Sequence, residues 1–378
     1  MRVVIVGGGI IGCLTACYLK QRGASPVVVE KERMGQESSW AGAGILCPIQ
    51  PWLYPDEFSH LINASLALYP ALRDQLEAAT GISIEWQQSG LIAPFFDFDR
   101  SDDYHAALNW SARLGWKVES LTPEAAVAQE PMLSRDHLTR ALHWPDVAQL
   151  RNPRLLKAVR AWMEQLAIPI HEGRDVIHIE EKNNQSISVQ TRDGQSLEAE
   201  HVLMACGSWS GDLAARIGFQ LPVQPVKGQI VLLKDHPGLM KHIVKHESIY
   251  FVPRRDGRIL AGASLENVGF QTGNTVRVVS KILSDIQRVA SGLLDVEIEQ
   301  QWMGFRPGSP DGMPYLGIVP GFERLWVASG HYRNGVALAP ITATAMSQRI
   351  LTGDADIDLA PFSLQRSMEN VQKIGYPV

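Results

Sequence analysis

Apolar positions open the chain as a strand: Arg2 to Val6 is a buried-strand run, broken by glycines and followed by a helical pattern from Ile10 to Arg22, with Ala16, Leu19 and Lys20 at turn spacing. Gly23 stops that helix and Pro26 to Glu30 reads as a second strand, which makes a strand–helix–strand unit. Phe58, Leu61, Ile62, Leu66, Tyr69, Leu72 and Leu76 fall on one side of a helix predicted from Asp56 to Ala79. After the Gly81 break come short strands in "ISIEWQQSGLIAPFF", then helical and loop segments to about Pro145. "RNPRLLKAVRAWMEQLAI" predicts another amphipathic helix. Strands at Ile170 to Ile179 and Ser186 to Thr191, joined by a polar "EEKNNQ" turn and followed by "RDGQS", predict a small meander.

"EHVLMACGSWSGDL" returns to a strand, a glycine and a helix start. From Pro222 to about Trp302 the chain is strand-rich, with a hairpin turn at "RRDGR" and one helix from Thr275 to Ser291. "ERLWVASGHYRNGVALAPITATAMSQRIL" closes with a strand, a glycine-bearing turn and a long helix that starts beside Arg333. The chain thus leaves a nucleotide-type domain and comes back to it. The expected division is 1–80, 145–222 and 322–378 in that domain, with 81–144 and 223–321 in an inserted, mainly antiparallel one.

Composition narrows the function. With 378 residues and 45% hydrophobic content, two domains with sizeable cores are expected. Lys plus Arg total 35 against 40 Asp plus Glu, a net charge of -5 without blocks of one sign, which argues against nucleic acid as a partner. Cys13, Cys17, Cys47 and Cys206 show no CxxC spacing, so a reducing compartment and buried thiols are expected, and no metal site. No apolar stretch reaches the length of a membrane span. The glycines of the N-terminal run and the following Glu30 and Lys31 read as mature domain rather than leader, so a cytoplasmic location is expected.

"GGGIIG" places Gly7, Gly9 and Gly12 at GxGxxG spacing between a strand and a helix. The first glycine makes the tight turn, the second lets backbone approach a pyrophosphate at the helix N-terminus, and the third lets helix pack on strand. Glu30 ends the second strand, where a carboxylate accepts hydrogen bonds from an adenosine ribose and disfavours a 2′-phosphate. The ligand class is therefore an adenine dinucleotide, NAD or FAD. "ESSWAGAGIL", Glu37 to Leu46, is the discriminating stretch, because its small residues allow close backbone approach to a flat ligand and its serines can bond phosphate. Glycine turns at Gly207 and in "GHYRNG" would sit along the same ligand.

Three polar residues stand in apolar settings: Arg306 in "WMGFRPGSPDGMPYLG", Arg333 in "GHYRNGVALAP" and Tyr250 in "ESIYFVPRRDG". A guanidinium there needs an internal carboxylate, or an anion that is not part of the protein. Beside a flavin signature, two arginines and a tyrosine make a receptor for a small carboxylate.

With "VVIVGGGIIG", "SSWAGAGIL", "PVKGQIVLL", "YFVPRRDGRILAGAS", "GFRPGSPDGMPYLG" and "GHYRNGVALAP" in family order over nearly the whole chain, the sequence resembles the D-amino acid oxidase-like flavoenzymes. This group holds glycine oxidase, sarcosine oxidase and D-amino acid dehydrogenases, and the likeness is greatest to the glycine oxidases of thiamine biosynthesis. The resemblance implies an α/β fold, with an FAD-binding Rossmann-like domain of glutathione reductase type and an inserted substrate domain. It implies that Arg306 and Tyr250 bind a substrate carboxylate with Arg333 beside them. Ile10, Ile11, Glu30, Lys31, Ser38, Ser39, Ala43, Gly44, Ile45, Val176, His331, Tyr332, Arg333, Asn334, Gly335, Val336 and Ala337 would line FAD.

The activity implied is oxidation of glycine or another small amino acid, with dioxygen as acceptor and hydrogen peroxide as product, in a homo-oligomer. Two departures matter. Ser248 stands two residues before the tyrosine, where a glycine oxidase of this group carries a histidine, so pocket size or polarity is altered. No cysteine follows Cys206, whereas sarcosine oxidase tethers its flavin through one in the C-terminal half, so non-covalent FAD is expected. A dehydrogenase of the same fold, an NAD-linked dehydrogenase and a silent flavin-binding subunit remain open alternatives at this point.

Overall fold

The structure, a computed structural model, describes residues 1–48, 50–99, 103–182 and 186–366. Part of the expected "EEKNNQ" turn and the end of the segment 322–378 lie outside the described residues. Val3 to Val6 and Val27 to Val29 are continuous β-branched runs, as a strand buried on both faces requires. They pair in parallel, Ile5 opposite Val28, and the strand Arg2–Val6 also pairs in parallel with His201–Met204. The six-stranded sheet runs in the order Tyr315–Ile318, Leu325–Ser329, His201–Met204, Arg2–Val6, Ser25–Val29, Ile170–His171. Strand order reverses beside Arg2–Val6, so a crevice opens where that strand ends at Gly7.

Helices cover one face of this sheet. Ile10–Gln21, Asp56–Thr80, Asn152–Gln165 and Ala339–Thr352 bury Leu14, Leu19, Ile62, Leu76, Val159, Met163 and Met346 in one apolar core. On the opposite face lies the antiparallel meander Val176–Lys182, Ser186–Thr191 and Ser196–Ala199, whose Ile179, Ile187 and Val189 pack on Val4 and Val202.

A second sheet of eight strands, drawn from 91–144 and 224–308, is antiparallel apart from the parallel pairing of Ile243–His246 with Leu91–Phe96. Its longest pair, at one edge, joins Gln224–Lys234 to Glu297–Gly308, with Val226 opposite Arg306. The helix Val276–Val289 closes one face through Ile282, Ile286 and Val289.

Several features differ from the sequence reading. Tyr315–Ile318 falls inside the segment 223–321 assigned to the inserted domain, yet pairs antiparallel with Leu325–Ser329 in the first sheet. The chain therefore crosses back before residue 315 rather than at 322. The closing helix starts at Ala339, not beside Arg333. Residues 331–338 form turns, with Tyr332 at φ 48°, and Pro340 occupies the first helical turn, where its missing N–H leaves no bond unmade.

Candidate active site

One cavity of about 520 Å³ runs from the Gly7 crevice to the face of the second sheet. Its lining includes Gly7, Gly9, Ile10, Ile11, Glu30, Lys31, Ser38, Ser39, Ala43, Gly44, Ile45, Val176 and Gly207. Ser248, Tyr250, Arg306, His331, Tyr332, Arg333, Gly335, Val336 and Ala337 line it too. Of the residues expected in the site, Gly12 and Asn334 are not among the lining. A Cβ on Gly12 would strike the Gly7 carbonyl, so Gly12 serves the packing of helix on strand. The Asn334 side chain is buried away from the cavity.

The dinucleotide end is built by backbone geometry. Glu30, 8% exposed, accepts the Gly8 N–H on Oε2 at 2.7 Å and the Glu32 N–H on Oε1 at 2.9 Å, and still borders the cavity. This leaves acceptor capacity for ribose hydroxyls. The helix Ile10–Gln21 has no acidic residue in its first turn and a glycine as N-cap, so its positive end is free to meet an anion. Ser39 Oγ accepts the Ile10 N–H at 3.0 Å, and Ser38 Oγ donates to the Phe305 carbonyl. A Cβ on Gly44 would collide with the Leu150 carbonyl, and the Leu150 N–H bonds the Gly44 carbonyl at 2.9 Å, so this loop packs backbone to backbone on Leu150. A buried carboxylate with spare acceptor capacity, a helix N-terminus without an acidic residue and a wall of small residues fit FAD.

The other end of the cavity is built by the second sheet. Arg306 donates from Nη1 to the Ser264 carbonyl at 3.0 Å, and its guanidinium lies over Gly228, where any Cβ would collide with it. Among the described residues no carboxylate pairs with Arg306 or Arg333. The phenol of Tyr250 is held above its ordinary pKa by burial, with Arg306 and then Arg333 pulling it back, so it remains a donor. Burial pulls Arg333 below its usual value. His331 is pushed down to about 3 by burial alone and is neutral, with Nε2 3.1 Å from Thr342 Oγ1. The helix Asp56–Thr80 steadies the turn: Ser65 Oγ donates to the Ala337 carbonyl at 2.6 Å, and Tyr69 OH bonds the Val336 carbonyl.

Several contributors were not read from the sequence. Trp209 lines the dinucleotide end with Lys31 Nζ 3.3 Å from its ring centroid, and stacks on Phe270 at 4.9 Å. Its signal was an aromatic directly after the Gly207 turn. Arg254, taken as part of a hairpin, is buried and donates to Gln149 Oε1 at 2.8 Å, the Leu150 carbonyl at 2.9 Å and the Ala43 carbonyl at 2.6 Å. It thereby clamps the loop that carries Gly44.

The sequence matches the family described as FAD dependent oxidoreductase (DAO) over residues 2–349. It is 37% identical over 365 residues to a glycine oxidase of Pseudomonas putida, covering 96% of this chain and 98% of the relative. It is 35% identical to the bifunctional protein ThiO/ThiG of Synechocystis sp., covering 96% of this chain and 54% of that longer protein. In structure it is similar to the glycine oxidase of Geobacillus kaustophilus, with a TM-score of 0.92, 32% identity and 97% and 99% of the two chains covered. These matches bear out the resemblance carried by the motifs and the expectation of an FAD-binding α/β fold. The chain belongs to the FAD-dependent oxidoreductases of the DAO family.

Proposed function

We propose that the protein catalyses oxidative deamination of glycine or a closely related small amino acid, with water and dioxygen consumed and ammonia, an oxo acid and hydrogen peroxide formed. The observation that carries this reading is Arg306, a guanidinium without a carboxylate partner, beside a protonated Tyr250 in the same cavity as the dinucleotide cradle. A planar guanidinium takes a carboxylate through two parallel hydrogen bonds, and the phenol adds a third donor. The relatives named glycine oxidase support glycine as a substrate.

The residues lining the Gly7 end of the cavity would hold FAD without a covalent link, and FAD would supply the two-electron acceptor for the substrate Cα–H bond, with dioxygen as the final oxidant. Arg306 and Tyr250 fix the substrate carboxylate and so fix the direction of Cα–H, which converts binding into orientation. Arg333 adds positive potential at the same end, which favours developing negative charge there. No side-chain base is needed if the amine binds neutral, and the buried neutral His331 stays bonded to Thr342. Arg306→Ala is expected to lower kcat/KM by roughly 2 to 5 kcal/mol of transition-state binding, with the flavin absorbance of the purified protein retained. Unchanged kcat/KM would remove Arg306 from the site.

A further inference from the structure

A second cavity of about 400 Å³ adjoins the first, and Ser248, Leu265 and Arg333 line both. Its far wall is largely aromatic, with Trp52, Phe95, Trp110 and Trp144, and Lys245 projects into it. The register of the two strands puts this lysine in a particular place. Ile243–His246 and Ile249–Pro253 are antiparallel, and Lys245 stands directly opposite Tyr250. Directly opposed residues share one face of the sheet with Cβ atoms about 5 Å apart. Lys245 is thus the cross-strand neighbour of the tyrosine that faces the substrate carboxylate.

Among the described residues the Lys245 ammonium makes no ion pair and no hydrogen bond. The carboxylates that share the cavity are engaged elsewhere or stand at its rim. Asp99 accepts the Phe96 N–H on Oδ2 at 2.8 Å and meets His246 Nε2 through Oδ1 at 2.8 Å. Asp103 accepts from Gln50 Nε2 at 3.2 Å, and Glu247 is exposed. Burial pushes Lys245 down to about 7, the neighbouring Arg333 charge acts in the same direction, and the charges of Glu247 and Asp103 act against it without offsetting it. Two basic side chains without an ion-pair partner among the described residues therefore line one cavity, and an anion bound between them would hold Lys245 in its charged form.

We infer that Lys245, with Arg333, forms a second anion subsite, so that the preferred substrates are small amino acids bearing a second carboxylate on the side chain or on the nitrogen. The inference rests on the oxidative reading above and specifies its substrate class. With the α-carboxylate on Arg306 and Tyr250, the second carboxylate would extend past Ser248 and Arg333, which border both cavities, towards Lys245. Ser248, at the junction of the cavities, leaves that path open where a larger side chain would narrow it.

Two matched pairs test this, each differing by one carboxylate: D-aspartate against D-alanine, and iminodiacetate against sarcosine. With the FAD-loaded wild-type enzyme, kcat/KM for the dicarboxylate of at least one pair is expected to exceed its partner's by about tenfold or more, and Lys245→Met should collapse that ratio by a similar factor. Lys245→Arg should restore most of it. The non-oxidisable ligands succinate and butyrate give a readout independent of turnover. By calorimetry, succinate should bind the wild type more tightly by about tenfold, and the difference should vanish in Lys245→Met. Equal binding of succinate and butyrate by the wild type, or a preference untouched in Lys245→Met, would overturn the subsite. Oxidation of D-alanine and sarcosine without a dicarboxylate preference would overturn it while leaving the oxidase reading intact. A Lys245-dependent succinate preference with no flavin bleaching by glycine or by any of the four amino acids would instead remove the oxidase reading and keep the subsite.

Discussion

Arg366 forks onto Asp311. Its Nε donates to Oδ2 at 2.7 Å and its Nη2 to Oδ1 at 2.9 Å, with 6% and 1% of the two side chains exposed. The same guanidinium donates to the carbonyls of Pro314 and Met313 and lies 3.7 Å from the centroid of the Tyr315 ring. The pair ties the last described residues to the "SPDGMPYLG" segment. Arg366→Met leaves a buried carboxylate without its partner and should cost about 3 to 5 kcal/mol of stability by denaturant unfolding. The double variant with Asp311→Leu should lose less than the sum of the two single losses. A loss below about 1 kcal/mol in the single variant would mean that the pair does not hold this segment.

Gly228 tests how tightly Arg306 must be placed. Alanine there puts a methyl group into the guanidinium, so Arg306 has to shift. We expect kcat/KM for the amino acid substrate to fall by about 100-fold while FAD remains bound. Steady-state kinetics and the flavin spectrum of the same preparation separate the two effects.

Arg254 acts on the other ligand. It meets only neutral acceptors, on Gln149, Leu150 and Ala43, and burial lowers its pKa to about 10. Arg254→Met should loosen the Gly44 loop and raise the Kd for FAD by about tenfold or more, since hydrogen bonds from a charged donor contribute roughly 1.5 to 3 kcal/mol. Fluorescence titration of the apoprotein with FAD measures it, and an unchanged Kd would restrict Arg254 to a role in folding.

His331 sets an acid limit. Its pKa is 6.5 as a free group and about 3 in the fold, so between these values the unfolded chain binds a proton that the native state does not. Stability from this group is full above about pH 6.5 and is lost as pH falls towards 3, by roughly 1.4 kcal/mol per pH unit. His331→Gln, neutral at every pH, should flatten this part of the stability curve. Thermal unfolding from pH 7 to pH 4 reads the difference, and parallel curves would assign the acid limb to other groups.

The helices were legible because their apolar faces are continuous. The helix predicted from Asp56 to Ala79 is observed as Asp56–Thr80, and the one predicted from Thr275 to Ser291 as Val276–Val289. Ser186–Thr191 is found as expected, whereas the run from Ile170 to Ile179 splits into Ile170–His171 and Val176–Lys182 around the Gly173 turn. Most of the dinucleotide end was legible too, since glycine spacing and Glu30 are local signals. Arg254 and Lys245 were not. "RRDGR" satisfies a hairpin so well that nothing local marks one of its arginines as buried, and Lys245 acquires its meaning only from the strand register that sets it opposite Tyr250. The helix start was misplaced because "NGVALAP" carries helical residues through a stretch whose geometry is dictated by contacts with Ser65 and Tyr69.

The position of Arg2–Val6 between Ser25–Val29 and His201–Met204 has a consequence for the growing chain. At synthesis rates of about 5–20 residues per second, roughly 10–40 s separate the emergence of this strand from that of its partner at 201–204. During that interval one edge of the nascent strand–helix–strand unit is a row of unpaired amides flanked by apolar side chains, and the later strand Leu325–Ser329 can add only once His201–Met204 has docked. Birth of the cofactor cradle on the ribosome is thus a race between late-arriving strands and chaperone capture of an early, sticky edge.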